Sequence, residues 1–340
     1  MAARMKAVRW HARGDVRVED VPRPVPGPDQ VLIRVEAAGI CGTDVEEFRN
    51  GPITVPVEPH PVSGRSAPVT IGHEVVGIVA QAGEASSIAV GTRVAPWPIT
   101  PCQQCADCLG GHTNRCRRMV ALGMSEDGGM ADYVLAAASR CVVVGPDVAL
   151  ERAVLVEPYA VALHGLHQVD VRGARVAVIG LGSLGLCVVD GAVRQGADVV
   201  AISRSPAARE LALRFGARST LALEQARDAN VDIVFETAGA RPAIEASAQA
   251  VERGGRVVVL GGHPGRTSLD LLDLTVREIT ILGAVSHCFE RDFAGAANLI
   301  TSGGLASHPR PTQVGRLDDG PDWLRESTGI TKRVLVPSQA

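Results

Sequence analysis

The chain has 340 residues, a formal net charge of -3 at pH 7 and a sequence pI near 6.3. This length predicts about two domains, each with its own core, and the near-neutral charge offers no basic field for a polyanion, so nucleic acid is not an expected partner. The chain has no run of about 18 apolar residues and no apolar signal segment at its start, so we expect no membrane span and a cytoplasmic protein.

Short β-branched runs separated by turns open the chain. They cover residues 6–10, 16–21 and 31–37, with a proline-rich link before the third. Many short strands with Pro and Gly between them predict an antiparallel, barrel-like domain, which we place at residues 1–155. Residues 49–70 follow neither a helical nor a strand period, so we expect a long loop there. His60 in this loop is either a substrate contact or a surface histidine in a stiff turn.

Three separate motifs offer ligands for a catalytic metal ion. The motif GICGTD holds Cys41 and Thr43, whose thiol and hydroxyl can face one cavity. Taken alone, Cys41 could equally be a buried cysteine in a turn. The motif GHE adds the imidazole of His73 with the carboxylate of Glu74 beside it. Glu157 is either a third ligand, as a zinc ion with one open position requires, or a carboxylate favoured by a helix N-terminus.

Four cysteines within a short lobe, at about residues 97–118, give the most specific spacing in the chain. They are Cys102, Cys105, Cys108 and Cys116. Four thiolates can close a tetrahedral shell with no open position, which predicts a structural zinc site. An iron–sulfur cluster is an alternative, but its bacterial spacing places the fourth cysteine closer and before a proline, whereas Arg117 follows here. A disulfide pair is the other alternative.

From residue 175 onward, strands and helices alternate. This alternation predicts a mostly parallel, doubly wound sheet within residues 156–290, including a helix over residues 241–255. The first strand runs into GLGSLG, in which Gly180 would allow a tight turn, Gly182 would let a pyrophosphate approach, and Gly185 would let helix and strand pack closely. Residues 291–340 are too short to fold alone, so we expect them to return to the first domain.

The end of the second strand of this region bears on the choice of dinucleotide. An NAD site normally has an acidic residue there, about 20 residues after the glycines. This chain has Ser203 and Arg204 instead. A hydroxyl and a guanidinium can bind the 2′-phosphate of NADP, and no carboxylate repels it, so NADP is favoured over NAD. The alternative for Arg204 is a solvated loop arginine.

The motifs GICGTD, GHE, the four-cysteine lobe, VEPYAVALH and GLGSLG, in this order, resemble those of the medium-chain zinc-dependent alcohol dehydrogenases over essentially the whole chain. The loop before GHE resembles that of the butanediol dehydrogenases, in the branch that includes the sorbitol and threonine enzymes. The resemblance implies an α/β fold class, with a doubly wound Rossmann domain and a mainly antiparallel, GroES-like catalytic domain. A homodimer or homotetramer is the general expectation for such an enzyme.

The resemblance also implies an activity. The protein would transfer a hydride between a secondary alcohol (a diol, polyol, amino alcohol or cyclitol) and NADP or NAD, with two zinc ions per chain. Cys41, His73 and Glu157 would hold the catalytic zinc ion, and Glu74 would either contact one of these ligands or exchange with it on the ion. The alternatives are a biosynthetic ketone or sugar reductase, and a noncatalytic dinucleotide-binding zinc protein.

The resemblance also implies roles for several individual residues. Thr43 would take the proton of the alcohol, Ser183 and Leu184 would present backbone N–H groups to the pyrophosphate, and Lys332 would reach toward it. Three residues after this threonine, related enzymes commonly carry a histidine that ends the proton relay. Glu46 stands there in this chain, and we hypothesise that its carboxylate replaces the histidine.

Overall fold

A computed structural model of the protein describes residues 3–262, 265–304, 312–326 and 332–337. Residues 305–311, 327–331 and 338–340 of the expected C-terminal segment lie outside the described residues. The chain divides into two compact units: Met1–Glu157 with Cys288–Ala340 form the first, and Pro158–His287 form the second. None of the helices in the described part of the chain is long and apolar enough to cross a bilayer.

Strands and helices are numbered along the chain. The described strands are β1 (Arg4–Ala12), β2 (Asp15–Pro22), β3 (Gln30–Gly39), β4 (Val69–Thr70), β5 (Glu74–Ala82), β6 (Arg93–Pro96), β7 (Ile99–Thr100), β8 (Val120–Ala121), β9 (Tyr133–Ala137), β10 (Cys141–Val143), β11 (Arg175–Ile179), β12 (Asp198–Ile202), β13 (Ser219–Leu221), β14 (Val231–Glu236), β15 (Val251–Val259), β16 (Thr280–Gly283), β17 (Thr312–Arg316) and β18 (Lys332–Val336). The described α-helices are α1 (Gly42–Asn50), α2 (Ala106–Leu109), α3 (Leu150–Ala153), α4 (Val156–Leu166), α5 (Ser183–Arg194), α6 (Pro206–Arg214), α7 (Arg241–Ala250), α8 (Leu271–Val276), α9 (Ala294–Thr301) and α10 (Gly320–Arg325).

The first unit is mainly antiparallel. Its larger sheet has the order β10-β6-β5-β3-β18-β17, with β9 also paired to β3, and a smaller sheet has the order β2-β1-β4. Along β3, Val31, Ile33 and Val35 recur at every second position and enter the same buried cluster, as the two-residue period of a strand requires. The C-terminal strand β18 pairs antiparallel with β3, so the end of the chain contributes to the sheet that begins near its start.

The second unit is a parallel sheet with the strand order β13-β12-β11-β14-β15-β16. All of its strand pairs are parallel. The strands β11 and β14 are buried almost throughout and rich in Val and Ile, as strands covered on both faces are. Counted from β11, the order is that of a doubly wound Rossmann fold, whose ligand crevice lies beyond the carboxyl ends of the strands where the order reverses, at β11 and β14.

The helix expected over residues 241–255 ends earlier. Helix α7 stops at Ala250, and β15 starts at the next residue, Val251, which pairs with Val231 of β14. The expectation of helix beyond residue 250 was therefore wrong. Pairing with a neighbouring strand outweighs the local helical pattern, because burial in a sheet is a tertiary contribution that local propensity does not include.

Candidate active site

The turn between β3 and α1 brings a thiol and a hydroxyl together. Cys41 lies at the N-cap of α1, and Oδ2 of Asp44 accepts a hydrogen bond from its N–H at 2.9 Å, which fixes the start of the helix. The sulfur of Cys41 lies 3.7 Å from Oγ1 of Thr43. The two groups that the sequence places two residues apart therefore meet on one side of the turn.

His73 and Glu74 reach the same place from the start of β5. The preceding residue, Gly72, has φ +99°, and a Cβ there would lie 2.9 Å from the backbone nitrogen of Met130, so the turn into the strand requires glycine. His73 and Glu74 are 4% and 1% exposed. One ligand atom from each of Cys41, His73 and Glu74 lies within 4.8 Å of the other two. We call these three residues the catalytic cluster.

The imidazole of His73 is surrounded by acidic groups. Burial lowers its pKa, but Asp44, Cys41 and Glu157 outweigh this and raise the pKa well above its ordinary value. Its Nδ1 is buried without a hydrogen-bond partner in the described part of the chain, and Oδ1 of Asp44 lies 3.6 Å away. A thiol, an imidazole and carboxylates around one buried point are a donor set that suits Zn²⁺, so these residues fit a catalytic zinc ion.

Glu74 also takes part in a buried ion pair. Nζ of Lys332 donates to Oε2 of Glu74 and, at 3.1 Å, to the carbonyl oxygen of Ile40. Both charged side chains are 2% exposed. The ammonium group for which the family resemblance implies a contact with the pyrophosphate therefore lies beside the catalytic cluster in this structure.

Glu46 and Glu157, the other acidic residues predicted for the site, differ in how they relate to the catalytic cluster. Glu46 is half-buried on α1, three residues after Thr43 and so on the same side of the helix, and its Oε1 accepts from Nδ2 of Asn50 at 2.7 Å. Glu157 lies in the first turn of α4, and its charge acts on His73. The three ligand atoms that lie within 4.8 Å of one another are those of the catalytic cluster, and Glu157 is not among them.

The four-cysteine lobe surrounds a second point. The sulfur of Cys108 lies 3.4 Å from that of Cys105 and 4.0 Å from that of Cys102, while Sγ of Cys116 accepts from the N–H of Cys102 at 3.2 Å. All four are free thiols within 4.8 Å of one another, and zinc–sulfur bonds of about 2.3 Å place tetrahedral sulfurs about 3.8 Å apart. Backbone N–H groups, first that of Gln104, lower the pKa of Cys102 to about 6, whereas burial raises the pKa of Cys108 to about 12. The lobe therefore fits a structural zinc ion.

The glycine turn of the second unit forms a cradle before α5. Gly180 has φ +98°, and a Cβ on Gly185 would collide with the carbonyl of Gly180, so both positions exclude a side chain. A Cβ on Gly182, the N-cap of α5, would instead project into open space. The N–H groups of Ser183 and Leu184 lie in the first turn of α5, at the positive end of the helix dipole. The cradle fits a pyrophosphate.

The turn after β12 contains Ser203 and Arg204. Oγ of Ser203 accepts from the N–H of Ser205 at 3.2 Å, and Oγ of Ser205 caps α6 by accepting from the N–H of Ala208 at 3.3 Å. Arg204 is exposed. The turn places a hydroxyl, an exposed guanidinium and a helix N-terminus at the carboxyl end of β12, and it contains no acidic side chain.

Comparison with known proteins gives consistent matches over nearly the whole chain. Residues 27–146 match the alcohol dehydrogenase GroES-like domain, and residues 183–302 match the zinc-binding dehydrogenase family. The (R,R)-butanediol dehydrogenase of Bacillus subtilis is 31% identical over 333 residues, which cover 93% of each chain. The sorbitol dehydrogenase of the same organism is 31% identical over 271 residues, 76% of this chain and 75% of its own.

A solved structure shows the same similarity over nearly the whole chain. An NADP-bound protein from Sinorhizobium meliloti, described as a zinc-binding dehydrogenase, is 32% identical with a TM-score of 0.89, covering 98% of this chain and 100% of that chain. The chain belongs to the medium-chain zinc-dependent alcohol dehydrogenase family. The resemblance and the fold class expected from the sequence are thereby confirmed. This dehydrogenase is an alcohol oxidoreductase of a zinc-binding family that uses a nicotinamide cofactor, which argues against the noncatalytic alternative.

Sequence reasoning missed two features of the dehydrogenase site. Asp44 is 3% exposed and contacts the Cys41 turn while facing His73. A local signal for it existed, because an acidic residue three positions after an N-cap is the spacing of a capping box. The pairing of Lys332 with Glu74 had no local signal, because the two residues are 258 positions apart.

Proposed function

We propose that this dehydrogenase transfers a hydride between a secondary alcohol, of the diol, polyol, amino-alcohol or cyclitol class, and NADP in preference to NAD. The observation that carries the proposal is the catalytic cluster, with Oγ1 of Thr43 lying 3.7 Å from the sulfur of Cys41. The likeness to butanediol and sorbitol dehydrogenases supports the substrate class. Run in reverse, the same site would reduce a ketone or a sugar, as a biosynthetic reductase does.

We further propose two zinc ions per chain. Cys41 and His73, with Glu157 or Glu74, would hold the catalytic ion, and the four-cysteine lobe would hold the structural one. A catalytic zinc ion acts as a Lewis acid that lowers the pKa of an alcohol hydroxyl. The chain's own contribution is to bury His73 and Glu74 and to surround His73 with acidic groups, which favours a cation at this point.

Thr43 and Glu46 would move the proton of the alcohol. In our proposal, Oγ1 of Thr43 accepts that proton and passes its own toward the half-buried carboxylate of Glu46, from which the proton reaches solvent. A Glu46→Gln variant removes the final acceptor, so we expect an altered pH dependence of kcat/KM. An unchanged pH–rate profile in this variant would refute the role of Glu46.

The second unit would bind the dinucleotide. The N–H groups of Ser183 and Leu184 would hold the pyrophosphate at the N-terminus of α5, in front of the open position at Gly182. Ser203 and Arg204 would bind the 2′-phosphate, and the NADP-bound relative from Sinorhizobium meliloti supports this preference.

The test is to follow the absorbance of reduced nicotinamide on mixing zinc-loaded enzyme with butane-2,3-diol, sorbitol, threonine or an aminocyclitol, each with NADP and with NAD in parallel. We expect reduction with at least one substrate and a higher kcat/KM for NADP. Equal or better rates with NAD would refute the cofactor preference. Absence of reduction with all four substrates, in protein with two bound zinc ions, would refute the substrate class.

We also propose a cytoplasmic homo-oligomer. The eight cysteines are all free thiols, as is usual in a reducing compartment. In the second unit, β16 is an edge strand of the sheet, and α8 just before it exposes Leu271 and Leu272 by 72% and 73%. An exposed sheet edge beside exposed apolar side chains is typical of a surface that another copy covers.

A further inference from the structure

Arg209 on α6 reaches back to the end of β12. Its Nη1 donates to the carbonyl oxygen of Ser203 at 2.5 Å, across six residues of the chain. Ser203 directly follows β12, so this contact holds the guanidinium at the carboxyl end of the strand. Arg209 is half-buried, whereas Arg204 is exposed. The sequence pointed to Arg204 alone, but the structure fixes a second arginine at the same strand end.

Arg209 has no acidic ion-pair partner among residues 3–262, 265–304, 312–326 and 332–337. Arg214, on the same helix, is different, because it pairs with Glu210 at 2.7 Å. The partner of Arg209 is a neutral carbonyl oxygen, which orients the guanidinium but leaves its positive charge available.

The N-terminus of α6 adds to the positive electrostatic potential at the carboxyl end of β12. The helix spans Pro206–Arg214, and Ser205 caps its N-terminus, so the positive end of the helix dipole lies at the same turn as Arg204 and Arg209. A guanidinium has five N–H donors, of which the bond to Ser203 uses one. The others can form paired hydrogen bonds to a phosphate.

We propose that Arg209 is a specificity-determining residue that binds the 2′-phosphate of NADP together with Arg204. This inference rests on the proposed preference for NADP and extends it to a residue outside the turn. The bond to Ser203 restricts the arginine before the ligand arrives, so less side-chain entropy is lost on binding than for the exposed Arg204. NAD has a neutral 2′-hydroxyl at this position and gains little from the charge.

The test measures binding of adenosine 2′,5′-bisphosphate and of AMP to the full zinc-loaded protein by isothermal titration calorimetry. This pair differs by the 2′-phosphate and requires no alcohol substrate. We expect Arg209→Gln to weaken binding of the bisphosphate about 10-fold to 100-fold, the usual value of a charged hydrogen bond, and to change binding of AMP by less than about 2-fold. Arg209→Lys keeps the positive charge but lacks the paired N–H donors of a guanidinium, so we expect an intermediate loss of affinity for the bisphosphate.

Arg214→Gln is the matched control, because this arginine lies on the same helix but is already paired with Glu210. It should leave the binding of both nucleotides unchanged. If wild type prefers the bisphosphate and Arg209→Gln binds it as tightly as wild type, or loses both nucleotides equally, the role of Arg209 is refuted while the NADP preference stands. If wild type binds the bisphosphate no better than AMP, the NADP preference is refuted, and the role of Arg209 with it.

Discussion

Only two lysines occur in the chain, and they lie in opposite environments. Lys332 is buried against Glu74, with both side chains 2% exposed. Lys6 pairs with Asp318 at 3.2 Å on the surface, where the two side chains are 40% and 57% exposed. A surface pair contributes little because water screens it, whereas removing one partner of a buried pair leaves an uncompensated charge in the interior. We therefore expect Lys332 to contribute much more than Lys6 to the stability of the protein.

We expect Lys332→Met to lower the free energy of unfolding by about 3 kcal/mol, because the carboxylate of Glu74 loses its buried partner. Lys6→Met should change it by less than about 1 kcal/mol. Urea unfolding of the zinc-loaded proteins measures both values. Adding Glu74→Gln to the Lys332→Met variant should recover part of the loss. Equal stability of the two single lysine variants would contradict the buried pair.

At the scale of elements, α1 anchors the loop that follows it. Glu47 is 3% exposed, and its Oε1 accepts from the N–H of Ile53 at 2.9 Å. Its Oε2 accepts from the N–H and the hydroxyl of Thr54 at 2.7 and 2.8 Å. A carboxylate with three donors holds the start of the loop against the helix that carries Thr43. The neighbouring acid, Glu46, is half-buried and contacts Asn50.

A Glu47→Gln substitution should therefore destabilise the protein, because the amide nitrogen of glutamine faces a donor where the carboxylate accepted a bond. We expect a loss of about 1–3 kcal/mol. The matched control, Glu46→Gln, should change stability by less than about 0.5 kcal/mol. Thermal unfolding measures the stability of both variants. Similar stability of Glu47→Gln and Glu46→Gln would refute the anchoring role of Glu47.

The sequence predicted those features of the helices and strands that depend on adjacent residues, and it did not predict those that depend on distant parts of the chain. The end of β11, the turn at Gly180 and the start of α5 follow from adjacent residues, and the structure has them in place. The end of α7 was wrong because β15 begins by pairing with β14, which local periodicity does not report. Lys332 was likewise assigned without its partner Glu74, since only the folded sheet brings β18 beside β3.

At the scale of the whole molecule, the assembly can be tested through the exposed edge of the second unit. Ile281 lies on edge strand β16 and is 37% exposed, so a charge there should oppose pairing with another copy. We expect wild type to have the mass of a dimer or tetramer of the 35.5 kDa chain in light scattering, and Ile281→Lys to shift it toward the monomer. Val90→Lys, at a 62% exposed valine of the first unit, is the control and should not change the mass. A monomeric wild type would refute the proposed oligomer.

In our proposal, hydride transfer by this dehydrogenase requires a zinc ion held by the catalytic cluster. The most direct test measures zinc per chain and the rate of NADP reduction in the same samples of wild type, Cys41→Ser and Cys141→Ser. Cys141 is a half-buried thiol beside the core of the first unit, outside both candidate metal sites. We predict two zinc ions in wild type and Cys141→Ser, one in Cys41→Ser, and a rate at least about 100-fold lower in Cys41→Ser. A Cys41→Ser protein with the zinc content and the rate of wild type would show that this zinc ion is not required.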